Sequence, residues 1–200
     1  DLVDNDDWGA YYLWHYGDKN AEAEELCPTA FRALEAVPQP DIPGQAPVAL
    51  FSKLRPKTRI PPQNGMVNVP LICHLPLIVP ENCGAIRVGN EARPWVEGEL
   101  LIFDDSMLHE AWNDSDSERV VLLFDIWRPE LTEEERALVT AGEIEDVPGE
   151  DHGTVRQPAP HLYLDPQPVP YLYPPTVHGV VIVDALSGIA AGANYGDPHI

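Results

Sequence analysis

Two side chains in the run MLHEAWNDSDSERVVLLF, residues 107–124, carry the first chemical suggestion. A polar turn of Asn, Asp and Ser separates two apolar runs, the pattern of a β-hairpin. With the turn centred near Asp114, His109 and Arg119 fall opposite each other, where cross-strand Cβ atoms on one face sit ~5 Å apart. An imidazole can hold a metal that chelates one end of a dicarboxylate, while a guanidinium grips the far carboxylate through two parallel hydrogen bonds. Binding 2-oxoglutarate at ferrous iron requires that pair. The bland alternative is a surface His and a surface Arg, the latter paired with Glu110 or Glu118, because a one-residue slip sends one of the two to the other face.

The elements that must position this pair are mostly short strands. WGAYYLWHYG at 8–17 has the aromatic composition of a half-buried strand. From residue 48 onward VALFSKL, LICHLPLIV, GAIRVG, GELLIFDD, MLHEAWN and ERVVLLFDIW follow one another, separated by Gly, Pro, Asn, Asp or Ser, which argues for a barrel or jelly roll. Leu26, Cys27, Ala30, Phe31 and Leu34 recur at helical spacing and predict one short helix closed by Pro38; the proline-dense stretch 38–47 reads as a loop. A second helix is expected from Thr132, where TEEE matches a capping box. The expected division is a domain over 1–147 and a proline-rich extension over 148–200, in which RQPAPHLYLDPQPVPYLYPP favours extended backbone and VHGVVIVDALSGIAAGAN adds one strand.

Composition narrows the partners. The chain has 200 residues with Lys plus Arg 12 against Asp plus Glu 33, a formal net charge of -21, which repels phosphate backbones and anionic membrane surfaces. Nucleic acid and membrane are therefore not expected as partners. Three cysteines, Cys27, Cys73 and Cys83, have no framework spacing and fit a reducing, cytoplasmic setting. The start, DLVDNDDWGA, has no signal-like region and looks internal, so a preceding segment or anchor is one expectation.

The run GAIRVGNEARPWVEGELLIFDDSMLHEAWNDSDSERVVLLFDIWRPELTEEER, with YYLWHYGDKN, LFSKLRPKTRIPP and LICHLPLIVP upstream in the same order, resembles the aspartyl/asparaginyl β-hydroxylase family of iron(II) and 2-oxoglutarate-dependent oxygenases. The resemblance covers about residues 8–140. It implies a mainly β fold, a double-stranded β-helix (jelly roll, cupin-like) with flanking helices. By position it implies that His109 binds iron, that Arg119 holds the far carboxylate of 2-oxoglutarate, that His74 and Ser52 make further co-substrate contacts, and that Trp14 lines the site. The iron-binding carboxylate of related oxygenases is absent from this family, a glycine standing in its place, here Gly65. O2 and a small-molecule or peptide substrate complete the implied reaction, with Arg87 and Arg93 as candidate partners for a substrate carboxylate.

The chain departs from the family at one informative place. Where H-x-G is expected, IPPQNGMVNVPL reads Q-N-G, so Gln63 stands at the proximal metal histidine, and Pro70 replaces an arginine that members often carry near the substrate. An amide oxygen is a weaker ligand for ferrous iron than an imidazole nitrogen. Three accounts of Gln63 stand side by side: a working hydroxylase with a sparse site that His74 helps to fill, a lost or altered metal site that binds an anionic small molecule or performs non-oxidative chemistry, and a deliberate replacement that stops turnover. The expectation carried forward is a hydroxylase acting on an acidic or amide side chain, with Gln63 and His109 at Fe(II). His15 is read as a partly exposed strand residue, His152, His161, His178 and His199 as solvated, and Asp104 and Asp105 as structural residues at a strand end.

Overall fold

A computed structural model describes residues 8–142 and the strand Leu172–Tyr173. Eight consecutive strands shuttle between two antiparallel sheets. β1 (Trp8–His15), β2 (Asp18–Lys19), β3 (Ala49–Leu54), β5 (Pro70–Ile78), β8 (Leu101–Phe103), β10 (Arg119–Trp127) and β11 (Leu172–Tyr173) form the larger sheet, in the order β11-β8-β5-β10-β3-β1-β2. β4 (Thr58–Gln63), β6 (Ala85–Val88), β7 (Glu91–Pro94) and β9 (His109–Asn113) form the smaller one, in the order β4-β9-β6-β7. Within β3 to β10 every crossing but that from β6 to β7 changes sheet, which is the winding of a double-stranded β-helix. The fold expected from the sequence is therefore the fold observed.

Alternation along β10 explains the two cores. Leu122, Phe124 and Ile126 face outward against α1 (Ala21–Leu26) and α2 (Pro28–Leu34), joining Leu13, Phe31 and Leu34 in one apolar cluster. Arg119, Val121 and Leu123 take the other face, and Val121 packs with Ile86, Val88, Trp95, Phe103 and Ala111 between the sheets. Asn20 caps α1 through its side chain, and Pro28 begins α2 at a first-turn position, so the single helix expected near 26–34 is two, broken at Cys27. α3 (Glu133–Thr140) begins with the expected capping box, Thr132 and Glu135 bonding reciprocally. All three cysteines are free. No helix among the described residues is long and apolar enough to cross a membrane.

Four strands, β2, β4, β7 and β11, are absent from the sequence reading. TRIPPQ (β4) and EARP (β7) carry prolines, which weaken a strand signal, yet both lie at the edges of the smaller sheet, where a missing N–H is tolerated. Most of the proposed extension, including the strand expected within 177–194, lies outside the described residues. Its Leu172–Tyr173 pairs with Phe103 and Ile102 of β8.

The expected hairpin is not a hairpin. β9 pairs with β4 and β6, whereas β10 pairs with β3 and β5, so His109 and Arg119 belong to different sheets. Asn113 is the cause. Its Nδ2 donates to the carbonyls of Leu54 (3.0 Å), Arg55 (3.0 Å) and Ser117 (2.8 Å), and its Oδ1 accepts from the Ser115 backbone N–H and hydroxyl. This fully buried amide ties the polar turn to the end of β3, so the chain arches from one sheet to the other instead of doubling back.

Candidate functional site

The space between the sheets collects polar groups from both walls. On the larger sheet Ser52 stands opposite Val121, and His74 opposite Leu123, which puts both on the inward face that also carries Arg119. All three are buried, Arg119 to 1% exposure. Its guanidinium lies over the indole of Trp95, Cζ 4.5 Å from the ring centroid, and its Nε and Nη1 have no acceptor among the described residues. Burial depresses its pKa to about 10, so it stays charged at neutral pH. A buried, unpaired cation of this kind is costly until an anion joins it.

His74 is held by the same indole. Trp95 Nε1 donates to His74 Nδ1 at 3.3 Å, and because an indole nitrogen can only donate, Nδ1 accepts and the ring hydrogen sits on Nε2. Burial, the Arg119 charge and His109 hold the His74 pKa well below the ordinary range, which keeps the ring neutral. Ser52 Oγ accepts from Trp8 Nε1 at 2.9 Å, leaving its hydroxyl hydrogen to be given elsewhere. The larger sheet thus presents three donors at this cluster.

The smaller sheet supplies the other half. Gln63 and His109 are directly paired across β4 and β9, with Gln63 Nε2 3.4 Å from His109 Nε2. His109 Nδ1 lies 2.9 Å from the Met107 carbonyl and donates to it, which leaves Nε2 as the lone-pair nitrogen facing Gln63. Phe103 spans the two halves, its ring 5.1 Å from that of His74 and 5.7 Å from that of His109.

Whether these residues fit a metal is a question of spacing and donor type. Two neighbouring octahedral ligands, each ~2.1 Å from an ion, stand ~3.0 Å apart. The observed 3.4 Å is close to that, and turning the Gln63 amide by half a revolution presents its oxygen instead of its nitrogen. The pair therefore fits a cation, but it supplies one imidazole and one neutral amide. No group of three His, Cys, Asp or Glu side chains is placed to hold a metal among the described residues.

Gly65 and Asp105 explain why no third side chain comes from the position after Gln63 and Asn64. The Gly65 N–H donates to the Asp105 carbonyl at 2.7 Å, and a Cβ at Gly65 would fall 2.5 Å from Cγ of the Asp105 carboxyl group. The space of a side chain at 65 is already filled by that carboxyl group. Its Oδ1 has no partner among the described residues, and burial, then the Asp104 charge, raise its pKa to about 7. Asp104 has a structural role, bonding Ser106 and pairing with Arg128.

Of the residues singled out in the sequence, the structure gathers Ser52, His74 and Arg119 on one wall and Gln63 and His109 on the other. Trp14 is not among them. A bulge between Tyr12 and Trp14 shifts the register of β1, so Trp14 pairs with Ala49 and packs on the helix side of the sheet. Trp8, before the bulge, occupies the inward face instead. Arg87 lies opposite Glu110 and is bound to it at 2.9 Å, away from the cavity. Arg93, on the outermost strand β7, is bound to Glu91 at 2.6 Å. Each is paired with a neighbouring carboxylate. Trp95, which the sequence analysis does not single out, is the residue most clearly missed; no spacing signal points to it, since it lies beyond the end of β7.

Comparison with known proteins gives a family match and two kinds of relative. The profile of the family described as aspartyl/asparaginyl beta-hydroxylase matches residues 1–129. The human aspartyl/asparaginyl beta-hydroxylase is 36% identical over 140 residues, covering 70% of this chain and 18% of that protein. The ornithine lipid ester-linked acyl 2-hydroxylase of Rhizobium tropici is 40% identical over 124 residues, covering 61% of this chain and 42% of that protein. The chain thus spans less than half the length of either relative. Among solved structures, a cupin 2 conserved barrel domain protein from Salinispora arenicola overlaps 70% of this chain and 87% of its own, with TM-score 0.40 and 11% identity. By profile match and by sequence identity, the chain belongs to the aspartyl/asparaginyl β-hydroxylase family, a family of hydroxylases.

Proposed function

We propose that the chain is a 2-oxoglutarate-dependent hydroxylase whose iron(II) site is completed by the co-substrate. The observation that carries this reading is Arg119, a buried guanidinium with two unpaired nitrogens on the inward face, opposite the Gln63–His109 pair. Arg119 would receive the far carboxylate, with His74 Nε2–H and the Ser52 hydroxyl donating to it or to its neighbour oxygens. His109 Nε2 and the Gln63 amide oxygen would hold the iron, which supplies oxygen activation when bound. Phe103 and the apolar layer around Val121 and Ile86 keep water from the space between.

The substrate reading follows from the chemistry shared by the two named relatives. A β-hydroxylated aspartyl residue and a 2-hydroxylated acyl chain both react at a carbon next to a carbonyl. A methylene beside a carboxyl, amide or ester group is therefore the proposed target, an acidic or amide side chain being one case.

Succinate formation from 2-oxoglutarate, measured for this chain and for Gln63→His, tests the reading. An imidazole at 63 replaces a weak ligand with a strong one, so iron affinity should rise by at least tenfold and succinate formation with it, metal sites being sensitive to far smaller changes at this level. If neither protein develops a charge-transfer absorbance on anaerobic addition of iron and 2-oxoglutarate, the reading fails.

A further inference from the structure

We propose that Trp95 assembles Arg119 and His74 into a carboxylate receptor that is complete without a metal. The proposal rests on the reading of 2-oxoglutarate as the acid this cavity takes, and goes beyond it in assigning Trp95 and in separating acid binding from metal binding.

Three observations carry it. First, one buried indole contacts both polar groups: its face lies 4.5 Å from Arg119 Cζ, and its N–H bonds His74 Nδ1 at 3.3 Å. The face fixes the plane of the guanidinium, and the N–H fixes which His74 nitrogen carries hydrogen. Arg119 Nε and Nη1 meet no acceptor among the described residues, and the Trp95 bond occupies His74 Nδ1 and leaves the ring hydrogen on Nε2, so the arrangement is a set of donors suited to an anion. Second, the charge is uncompensated. Among the described residues, every arginine–carboxylate pair is made by another arginine: Arg59, Arg87, Arg93 and Arg128. A desolvated guanidinium gains more from a carboxylate than an exposed one does, so it favours binding by itself.

Third, the two halves of the site have separate supports. Ser52, His74 and Arg119 stand on β3, β5 and β10, while Gln63 and His109 stand on β4 and β9. Weakening the metal half by placing an amide at 63 removes nothing from the acid half. The metal then adds to affinity for 2-oxoglutarate without being needed for it. Succinate, which keeps the far carboxylate but cannot chelate through a 2-oxo group, should bind in the same place.

The test uses the full chain in excess chelator, titrated calorimetrically with 2-oxoglutarate and with succinate, and in parallel anaerobically with iron(II). Both acids should bind in chelator. Trp95→Phe keeps an aromatic face under Arg119 and deletes the N–H, and should weaken both about tenfold, the size of one ordinary hydrogen bond. Nitrogen-15 spectra of the histidines, with the His74 signal identified by its loss in His74→Gln, should show hydrogen on Nε2 in the parent chain and on Nδ1 in a large fraction of Trp95→Phe. A merely structural tryptophan would leave that pattern unmoved. Binding of 2-oxoglutarate only when iron is present overturns this proposal and leaves the function above standing. No binding with or without iron overturns both. Hydrogen on Nδ1 of His74 in the parent chain refutes the role of Trp95 whether or not the variant folds.

Discussion

Gly65→Ala probes why position 65, two residues after Gln63, carries no side chain. The added Cβ would lie 2.5 Å from Asp105 Cγ and 2.8 Å from Oδ1, with Oδ2 nearer still. Non-bonded carbon atoms settle ~3.5–4.0 Å apart, so the carboxyl group must retreat by ~1 Å. Retreat is resisted at the backbone, because the Gly65 N–H is bonded to the Asp105 carbonyl at 2.7 Å. Overpacking of this degree costs ~1–3 kcal/mol, and a value near ~2 kcal/mol is expected for Gly65→Ala by urea denaturation. The same substitution in an Asp105→Ala background should cost close to nothing, since the obstructing group is gone, giving a coupling of ~2 kcal/mol between the positions. Gly65→Asp should be worse than Gly65→Ala, because it adds a second carboxyl group against one whose pKa burial has already raised to about 7. Equal costs for Gly65→Ala in the two backgrounds would refute the claim that Asp105 is what excludes a side chain at 65.

Two further perturbations follow from buried polar groups. Asn113→Ala removes a side chain that bonds the carbonyls of Leu54, Arg55 and Ser117, and should cost ~2–4 kcal/mol in the same denaturation assay; a loss below ~1 kcal/mol would contradict its role as the clamp of the β9–β10 arch. Asp125, whose carboxyl group accepts from the Val48 N–H, has its pKa raised from 3.8 to about 7 by burial. Between those values the folded chain keeps a proton that the unfolded chain has lost, so this group makes stability fall as pH rises from ~4 to ~7. Asp125→Asn should flatten that fall by up to ~4 kcal/mol, because each pH unit crossed between the two pKa values changes stability by ~1.4 kcal/mol; urea midpoints at either end of the window measure it. Identical pH profiles for the two proteins would show that Asp125 does not titrate there.

Much of the architecture is legible in the chain because alternation writes it there. β3, β5, β6, β8, β9 and β10 all show as apolar runs punctuated by turn residues. What escapes is whatever depends on a partner. β4 and β7 hide behind prolines that only an edge position permits, and the sheet that makes them edges cannot be seen in six residues of TRIPPQ. The turn after β9 reads as a hairpin, since polar turn residues signal a reversal but not whether the strands they join will pair; Asn113, reaching to Leu54, decides that from 59 positions away. Trp14 is misplaced for a local reason, a one-residue bulge that flips the face of everything after it. Ser52, His74 and Arg119 nevertheless share the inward face of one sheet, and Gln63 and His109 pair on the other, although the pairing that first suggested two of them does not exist.

The placement of the Arg119 guanidinium and the His109 imidazole on opposite walls has a consequence for the space between them. The gap between them is a sandwich thickness, ~10 Å between facing sheets, and no strand register adjusts it. The filler side chains of that layer, Val121, Ile86 and Ala111, therefore act as a spacer gauge. Enlarging or shrinking one of them changes the space left between Arg119 and His109 without touching a single polar group.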